Sequence, residues 1–597
     1  MSQSVGAKML LSAMARYYEL MRPFWVYVKR ALGFILLMQV LALLEPYMMK
    51  FVIDGIVYRK TFMATHLFLV MVGMLVVLIL IGAVQIKKNR YIGDVIMVLE
   101  RDLPISCGTK LLRLPLAYHQ TENTGLVIGK VVRGVGKTMD LTGMILWEIV
   151  PLVIQTAVTA CILLAYEWYA ALVLMPLVIL FGWLTIQVRM RLASHREERH
   201  DLDSTADELL GQAVTNVMTT QAFAQEEREM RIITEIRHRV HGMATSEFGE
   251  YRKADFWRTS VVNIGRVGII FVCARAAFGN TMSMGTLVFL STLSEKVFLG
   301  CYRIGAVFDN LMEASEPMLR MTNIFRETET VVDPVESVRF PRHPRGEIAV
   351  RGVTYHYERS DGKGFMEKPA LKDLDLSIHA GETVGIVGES GSGKSTLAKL
   401  VMRFFDAREG GVLIDDVDVR FMSKGYFRRF IGYVPQEVEI YDMTVAENIA
   451  YGNPLATREE VERAARIAHA DAFIGELPNG YGELVGNHGL RLSGGQRQRI
   501  GIARAVLLNP RILIFDEATS HVDVVSEQKI QRAIEELRRD RTVILIAHRL
   551  STIQNADRIV VMHDGHIREI GTHHELLRQN GMYNRLVALQ TRVEAVM

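Results

Sequence analysis

Gly388-Glu389-Ser390-Gly391-Ser392-Gly393-Lys394-Ser395 is the stretch that decides how this chain is read. It follows an apolar run, Thr383 to Val387, and precedes a helical pattern from Thr396 to Phe404. Glycines at this spacing let the backbone curl until several N–H groups converge on one phosphate. The helix that follows adds positive potential at its N-terminus. Lys394 can reach the β- and γ-phosphates of a nucleotide, and the Ser395 hydroxyl suits magnesium. The strand, loop and helix together predict an α/β nucleotide-binding domain with a mainly parallel core sheet, in which Ile512 to Phe515 and Thr542 to Ala547 are further strands.

Downstream, Ile512-Leu513-Ile514-Phe515-Asp516-Glu517 reads as a buried strand ending in two carboxylates. Asp516 suits a magnesium-bound water, because hard cations prefer oxygen ligands. Glu517 suits a base or orienter for an attacking water. Between these stretches lies Leu492-Ser493-Gly494-Gly495-Gln496, followed by a helical pattern from Arg497 to Leu508. It is a second Gly-rich helix start, and so a second anion cradle.

The rest of the chain has a different character. It has 597 residues, too many for one core, and 49% of them are hydrophobic. The mean hydropathy of +0.16 points to a part in lipid. Six stretches are long and apolar enough to cross a bilayer. They run from about 31 to 53, 67 to 86, 144 to 166, 168 to 188, 260 to 279 and 284 to 304. Basic residues crowd the N-terminus and the two long charged stretches, among them Lys87, Lys88, Arg90, Arg189, Arg191, Arg196 and Arg199. The positive-inside rule puts those stretches, the N-terminus and everything after the sixth span in the cytosol. Both charged stretches keep a helical period, so helices are expected to continue past the membrane and turn back at Pro115 to Gly125 and near Leu209 to Thr215. Residues 17 to 28 mix aromatic, basic and apolar types, as a helix lying on the membrane surface does.

Arg266, Arg275, Glu295, Lys296 and Arg303 lie in or near the last two spans. Charges there cost at least about 2.5–3.5 kcal/mol unless paired or hydrated, so they read either as a polar path or as interhelical ion pairs. Cys107, Cys161, Cys273 and Cys301 fit neither a zinc pattern nor a disulfide framework. The net charge of +3 gives no argument for a nucleic-acid surface.

The three motifs, in this order, resemble the ATPase domain of ABC transporters, whose signature is Leu-Ser-Gly-Gly-Gln. The resemblance extends over nearly the whole chain: Gly285-Thr286-Leu287 at the sixth span, Pro115 to Gly125, and Leu210 to Phe223 look like the exporter class with six spans per half. It implies ATP and Mg2+ as cofactors. It places Tyr357 on the adenine, and Gly388, Ser390, Gly391, Gly393, Lys394, Ser395 and Thr396 around the phosphates. Ser395, Gln436 and Asp516 would hold magnesium, and Glu517, Gln436 and His548 would serve catalysis. Gly494, Gln496 and Asp523 would also bind nucleotide, and Ser493 and Gly495 would complete the site of a second chain, so the working unit is expected to be a dimer; a homodimer is favoured and a heterodimer also fits.

The expected layout is a surface helix in 1–30, a transmembrane domain in 31–325, a linker in 326–345 and the nucleotide-binding domain in 346–597. The expected function is ATP-driven export of a hydrophobic or amphipathic small molecule from a bacterial inner membrane, with membrane lipid around the spans. Lipid, peptide or metal-chelate cargo, a channel and a regulatory protein are the alternatives. The sequence departs from the family at Ser520-His521-Val522-Asp523, where Ala-Leu is usual in the middle, and at Asn487, where Glu is usual.

Overall fold

The computed structural model describes residues 14–58, 64–121, 124–357, 366–486, 489, 491–518, 524–547 and 549–594. The chain forms two compact units: Met1–Leu112 with Thr124–Glu327, and Arg113–Asn123 with Thr328–Met597.

Among the described residues, the named elements of the first unit are all helices. Helix α1 is described over residues 14–21. It is followed by α2 (Trp25–Leu41), α3 (Leu44–Tyr58), α4 (Ala64–Arg113), α5 (Leu116–Thr121), α6 (Thr124–Met144), α7 (Val150–Tyr166), α8 (Trp168–Thr215), α9 (Val217–Ala222), α10 (Glu226–Phe278) and α11 (Met284–Arg326); of these, α5 belongs to the second unit. Among the described residues six helical stretches are long and apolar enough to cross a membrane. Both long charged stretches are helical continuations of spans, as their period suggested.

Two details differ from the sequence reading. The first span is two helices, broken at Ala42 and Leu43. Pro46 explains the break: its nitrogen cannot donate, and its ring crowds the carbonyl four residues back, at Ala42. The second long turn lies at Asn216–Gln225, after Leu209 to Thr215. There Asn216 closes α8 by donating its side-chain amide to the Gln212 carbonyl at 2.9 Å. Pro151 has a related effect in the third span, where α6 and α7 are joined by a π-helical turn at Ile145–Ile149.

The spans are tied by polar contacts at one end. Ser283 caps α11, accepting from the Thr286 N–H at 3.1 Å. Asp54, near the end of α3, accepts from the Ser283 hydroxyl and from the Gly285 N–H, both at 2.7 Å. A carboxylate is favourable at this positive helix end, so Asp54 fastens the first span to the sixth. Cys107, Cys273 and Cys301 are buried and Cys161 is exposed; all four are free.

The second unit holds two sheets. One is antiparallel, in the order β2 (Leu371–Ile378), β1 (Ile348–Tyr355), β4 (Glu409–Ile414), β5 (Val417–Asp418). The sequence reading did not anticipate it. The other has the order β10 (His566–Gly571), β9 (Arg558–His563), β3 (Thr383–Gly388), β8 (Thr542–Ile546), β7 (Ile512–Asp516), β6 (Ile431–Val434). All its pairings are parallel except β10 on β9. Strands β3, β7 and β8 are buried at every position. Each buried Val, Ile or Leu there contributes roughly 1.5–3 kcal/mol, which holds the C-terminal ends of the strands in fixed register. Within this unit Leu116 and Ala117 of α5 pack against the apolar cluster that includes Leu397, Phe405 and Tyr355.

Candidate nucleotide site

The site is built at the C-terminal ends of β3 and β7, where open parallel sheets bind ligands. After β3 the backbone turns through Gly388 (φ 153°) and Gly393 (φ 103°). A Cβ at Gly388 would lie 2.1 Å from the Met562 carbonyl oxygen, and one at Gly393 would lie 2.6 Å from that of Ala370. Only glycine fits either position. At Gly391 a Cβ would meet nothing within 4 Å, so the loop is open on that side.

Helix α12 (Lys394–Val401) begins at Gly393 with no side-chain cap, which leaves first-turn N–H groups available for an anion. It starts two residues earlier and stops sooner than the sequence pattern suggested, before Arg403 takes a positive φ of 51°. Lys394 is buried, and its ammonium donates to the Gly388 and Glu389 carbonyls, both at 3.0 Å. Burial pushes its pKa down, opposed by the charges of Glu517 and Asp516. The buried Ser392 hydroxyl has no hydrogen-bond partner. An uncapped helix start, an orphaned hydroxyl and a buried ammonium are the donors that a polyphosphate needs, so the residues fit one.

Asp516 is buried at the end of β7. It accepts from the Ser395 hydroxyl at 2.9 Å and from the Tyr433 hydroxyl at 3.2 Å. Tyr433 was missed by sequence reasoning. It lies on β6, next to β7, and its pKa is pushed up by burial and by the Asp516 charge. The Ser395–Asp516 pair gives the hard oxygen ligands that magnesium prefers. No group of three or more His, Cys, Asp or Glu able to hold a metal occurs among the described residues. A magnesium ion here would complete its shell with phosphate and water.

Glu517 follows with a left-handed backbone, φ 51°, fixed by its N–H donating to the Ile546 carbonyl at 2.8 Å. Its carboxylate accepts from the Gln436 side-chain amide at 2.7 Å. The structure thus brings Lys394, Ser395, Asp516, Glu517 and Gln436 to one place. Thr396 meets the Tyr357 hydroxyl at 2.9 Å, and the Tyr357 ring stands edge-on to Tyr355 and Phe405.

The signature helix (Gly494–Leu507) is capped by Ser493, which exchanges hydrogen bonds with Gln496. It begins at Gly494, earlier than Arg497, because this capping box satisfies its first turn. Ser493 and Gln496 therefore engage each other and not the phosphate loop of their own chain. Gln498, a second residue missed from sequence, donates to the Pro435 carbonyl at 3.2 Å and links this helix to the Gln436 loop. His548, Asp523 and Asn487 lie outside the described residues.

Residues 371–520 match the ABC transporter family, and residues 31–301 match the ABC transporter transmembrane region. The chain belongs to the ABC transporter family. It is 33% identical over 599 residues to an ATP-dependent lipid A-core flippase of Chromobacterium violaceum, covering 95% of this chain and 97% of that protein. It is 30% identical over 586 residues to a putative multidrug export ATP-binding/permease protein of Bacillus subtilis, covering 97% and 100%. Among solved structures, a bacterial Atm1-family ABC exporter with ATP bound superposes with a TM-score of 0.81 at 29% identity, covering 96% of this chain and 98% of that one. The chain is an ABC exporter half: it binds ATP and couples its hydrolysis to transport across a membrane.

Proposed function

We propose that two copies of this chain form a homodimer that exports an amphipathic small molecule from the cytosolic side of a bacterial inner membrane. The cargo reading rests on the charges inside the spans. Arg266 on α10 pairs with Glu295 on α11, and Lys296 on α11 lies 4.0 Å from Glu45 on α3. The four side chains are still 37–48% exposed. Charge left this open inside a span does not face hydrocarbon. Its place is a hydrated path. Ile264, Val267, Ile270 and Leu299 are exposed on the same helices, so a solute with both polar and apolar parts suits the path.

In the nucleotide site, Lys394 and the first turn of α12 hold the phosphates, while Ser395, Asp516 and Gln436 would hold magnesium. Bound magnesium neutralises charge on the phosphate oxygens. Glu517, oriented by Gln436, takes the proton of the attacking water, whose oxygen bonds to the γ-phosphorus as the bridging β–γ P–O bond breaks. His548 contacts the γ-phosphate, and Tyr357 supports the adenine. Ser493, Gly494, Gly495, Gln496 and Asp523 act on the partner's nucleotide. The test is to purify this chain alone, reconstitute it in lipid, and follow ATP hydrolysis across a panel of amphiphiles, lipids and peptides. Stimulation by amphiphiles supports the reading. An inactive single chain would dismiss the homodimer.

A further inference from the structure

A cavity lies beside the start of the first span, away from the ion-paired charges of α3, α10 and α11. Arg30 is the last charged residue of α2 before the apolar run that starts at Ala31. Four residues further, about 6 Å along the helix, the Phe34 ring stacks on Tyr91 of α4, with centroids 4.8 Å apart and planes 19° apart. This contact sets the register: Tyr91 of α4 lies level with Phe34, close to the start of the apolar run of α2. Trp25 and Tyr18, with ring centroids 5.8 Å apart, stand just before it, as aromatic residues do at membrane surfaces.

Between α2 and α4 at this level lies a cavity of about 320 Å³, lined by Tyr27, Arg30, Tyr91, Asp94, Met97 and Arg101. Arg30 and Asp94 face it with opposite charges, yet no ion pair joins them. Neither has a hydrogen-bond or ion-pair partner among the described residues. Arg101 holds Asp102 through an exposed two-pronged contact, an interaction worth little that a stronger anion can displace.

Two separated, opposite, unpartnered charges on one cavity complement a ligand carrying both charges. We propose that the cavity binds the head group of a zwitterionic aminophospholipid, of the ethanolamine class. Its phosphate lies between Arg30 and Arg101, its ammonium donates to Asp94 beside the Tyr27 and Tyr91 rings, and its acyl chains run past Leu37, which is exposed on the Arg30 face of α2. Arginine suits the phosphate because its fork of donors matches two oxygens. An ammonium with N–H donors satisfies Asp94 better than a quaternary one does.

The experiment uses the full-length chain in nanodiscs of equal ethanolamine, choline and glycerol phospholipid. The protein is then extracted in mild detergent, and the retained lipid is read by native mass spectrometry. One ethanolamine lipid per chain is expected to survive in preference to the other two. Asp94→Asn and Arg30→Gln are each expected to weaken that retention roughly fivefold, since each removes one charge at the membrane surface. Arg30→Lys, which keeps the charge but not the fork, should show more of this retention than Arg30→Gln and less than the parent. Exchanging the two charges, Arg30→Asp with Asp94→Arg, should recover part of it, which a merely structural role would not do. If a variant fails to stay monodisperse, crosslinking of a photoreactive ethanolamine lipid to α2 and α4 of the unmodified chain decides instead. Soluble glycerophosphoethanolamine and inorganic phosphate are expected not to displace the lipid. Equal retention of all three classes, indifference to Asp94→Asn, or displacement by inorganic phosphate would overturn the assignment.

Discussion

Replacing Glu517 by Gln separates chemistry from architecture at the nucleotide site. The backbone there is held at φ 51° by the bond to the Ile546 carbonyl, and Gln occupies that conformation no less readily than Glu. The Gln436 amide, now 2.7 Å from a carboxylate oxygen, would donate to the amide oxygen of the new side chain instead. Only the charged character of that bond is lost, about 1 kcal/mol of stability at most. The proton acceptor is lost entirely. A positioned general base contributes about 10²–10⁴-fold, equal to about 3–5 kcal/mol of barrier. The assay is phosphate release at saturating Mg-ATP from the reconstituted protein, paired with equilibrium ATP binding and thermal unfolding. We expect turnover to fall at least about 100-fold, with ATP affinity and unfolding temperature nearly unchanged. Turnover within a few-fold of the parent would refute the role of Glu517, and a matching collapse of ATP binding would show that the carboxylate is needed to form the site.

Three further outcomes follow from single contacts. Tyr433→Phe removes one of the two hydroxyl donors on buried Asp516 and should cost about 1.5–3 kcal/mol of stability in denaturant unfolding, with Ser395→Ala costing a similar amount. Asp54→Ala leaves the Gly285 N–H and the Ser283 hydroxyl without their acceptor; about 1–2 kcal/mol should be lost, seen as a lower melting temperature in detergent, while Asp54→Asn should lose less. His573 donates to or accepts from Tyr583 at 2.8 Å, and burial pushes its pKa below the usual imidazole range, with His574 adding to the effect. The unfolded chain then binds more protons below about pH 6.5. Stability should therefore rise with pH up to that point and level off above it, and His573→Phe should flatten the acid side of a melting-temperature profile.

What was legible in the sequence was local. The phosphate loop, the Asp516–Glu517 strand end and the Ser493–Gln496 cap are each a few residues long, and each is read by a backbone need that its own residues declare. The six spans were legible because a bilayer imposes a length. Non-local contacts were not. Tyr433 reaches Asp516 only because β6 lies next to β7, a pairing that neither strand announces. Lys296 nears Glu45 only because the first and sixth spans are neighbours, and Asp54 caps α11 for the same reason. The break at Ala42 was visible in Pro46, but the hydropathy of the run hid it. The antiparallel sheet escaped because its β1 register is interrupted by irregularities between Val350 and Tyr355, which blur the alternation of a strand.

The central claim is that each chain supplies the phosphate-loop face of one ATP site and the signature face of another. It is tested most directly by mixing two defective chains, one carrying Lys394→Ala and the other Gly495→Asp. Each alone should be inactive. If the sites form between chains, a mixed dimer holds one intact site, from the phosphate loop of the second chain and the signature of the first, and ATP hydrolysis should reappear on co-expression. If activity stays at the level of the parents although mixed dimers are isolated by two different tags, the signature and phosphate loop do not meet across the dimer, and the account fails.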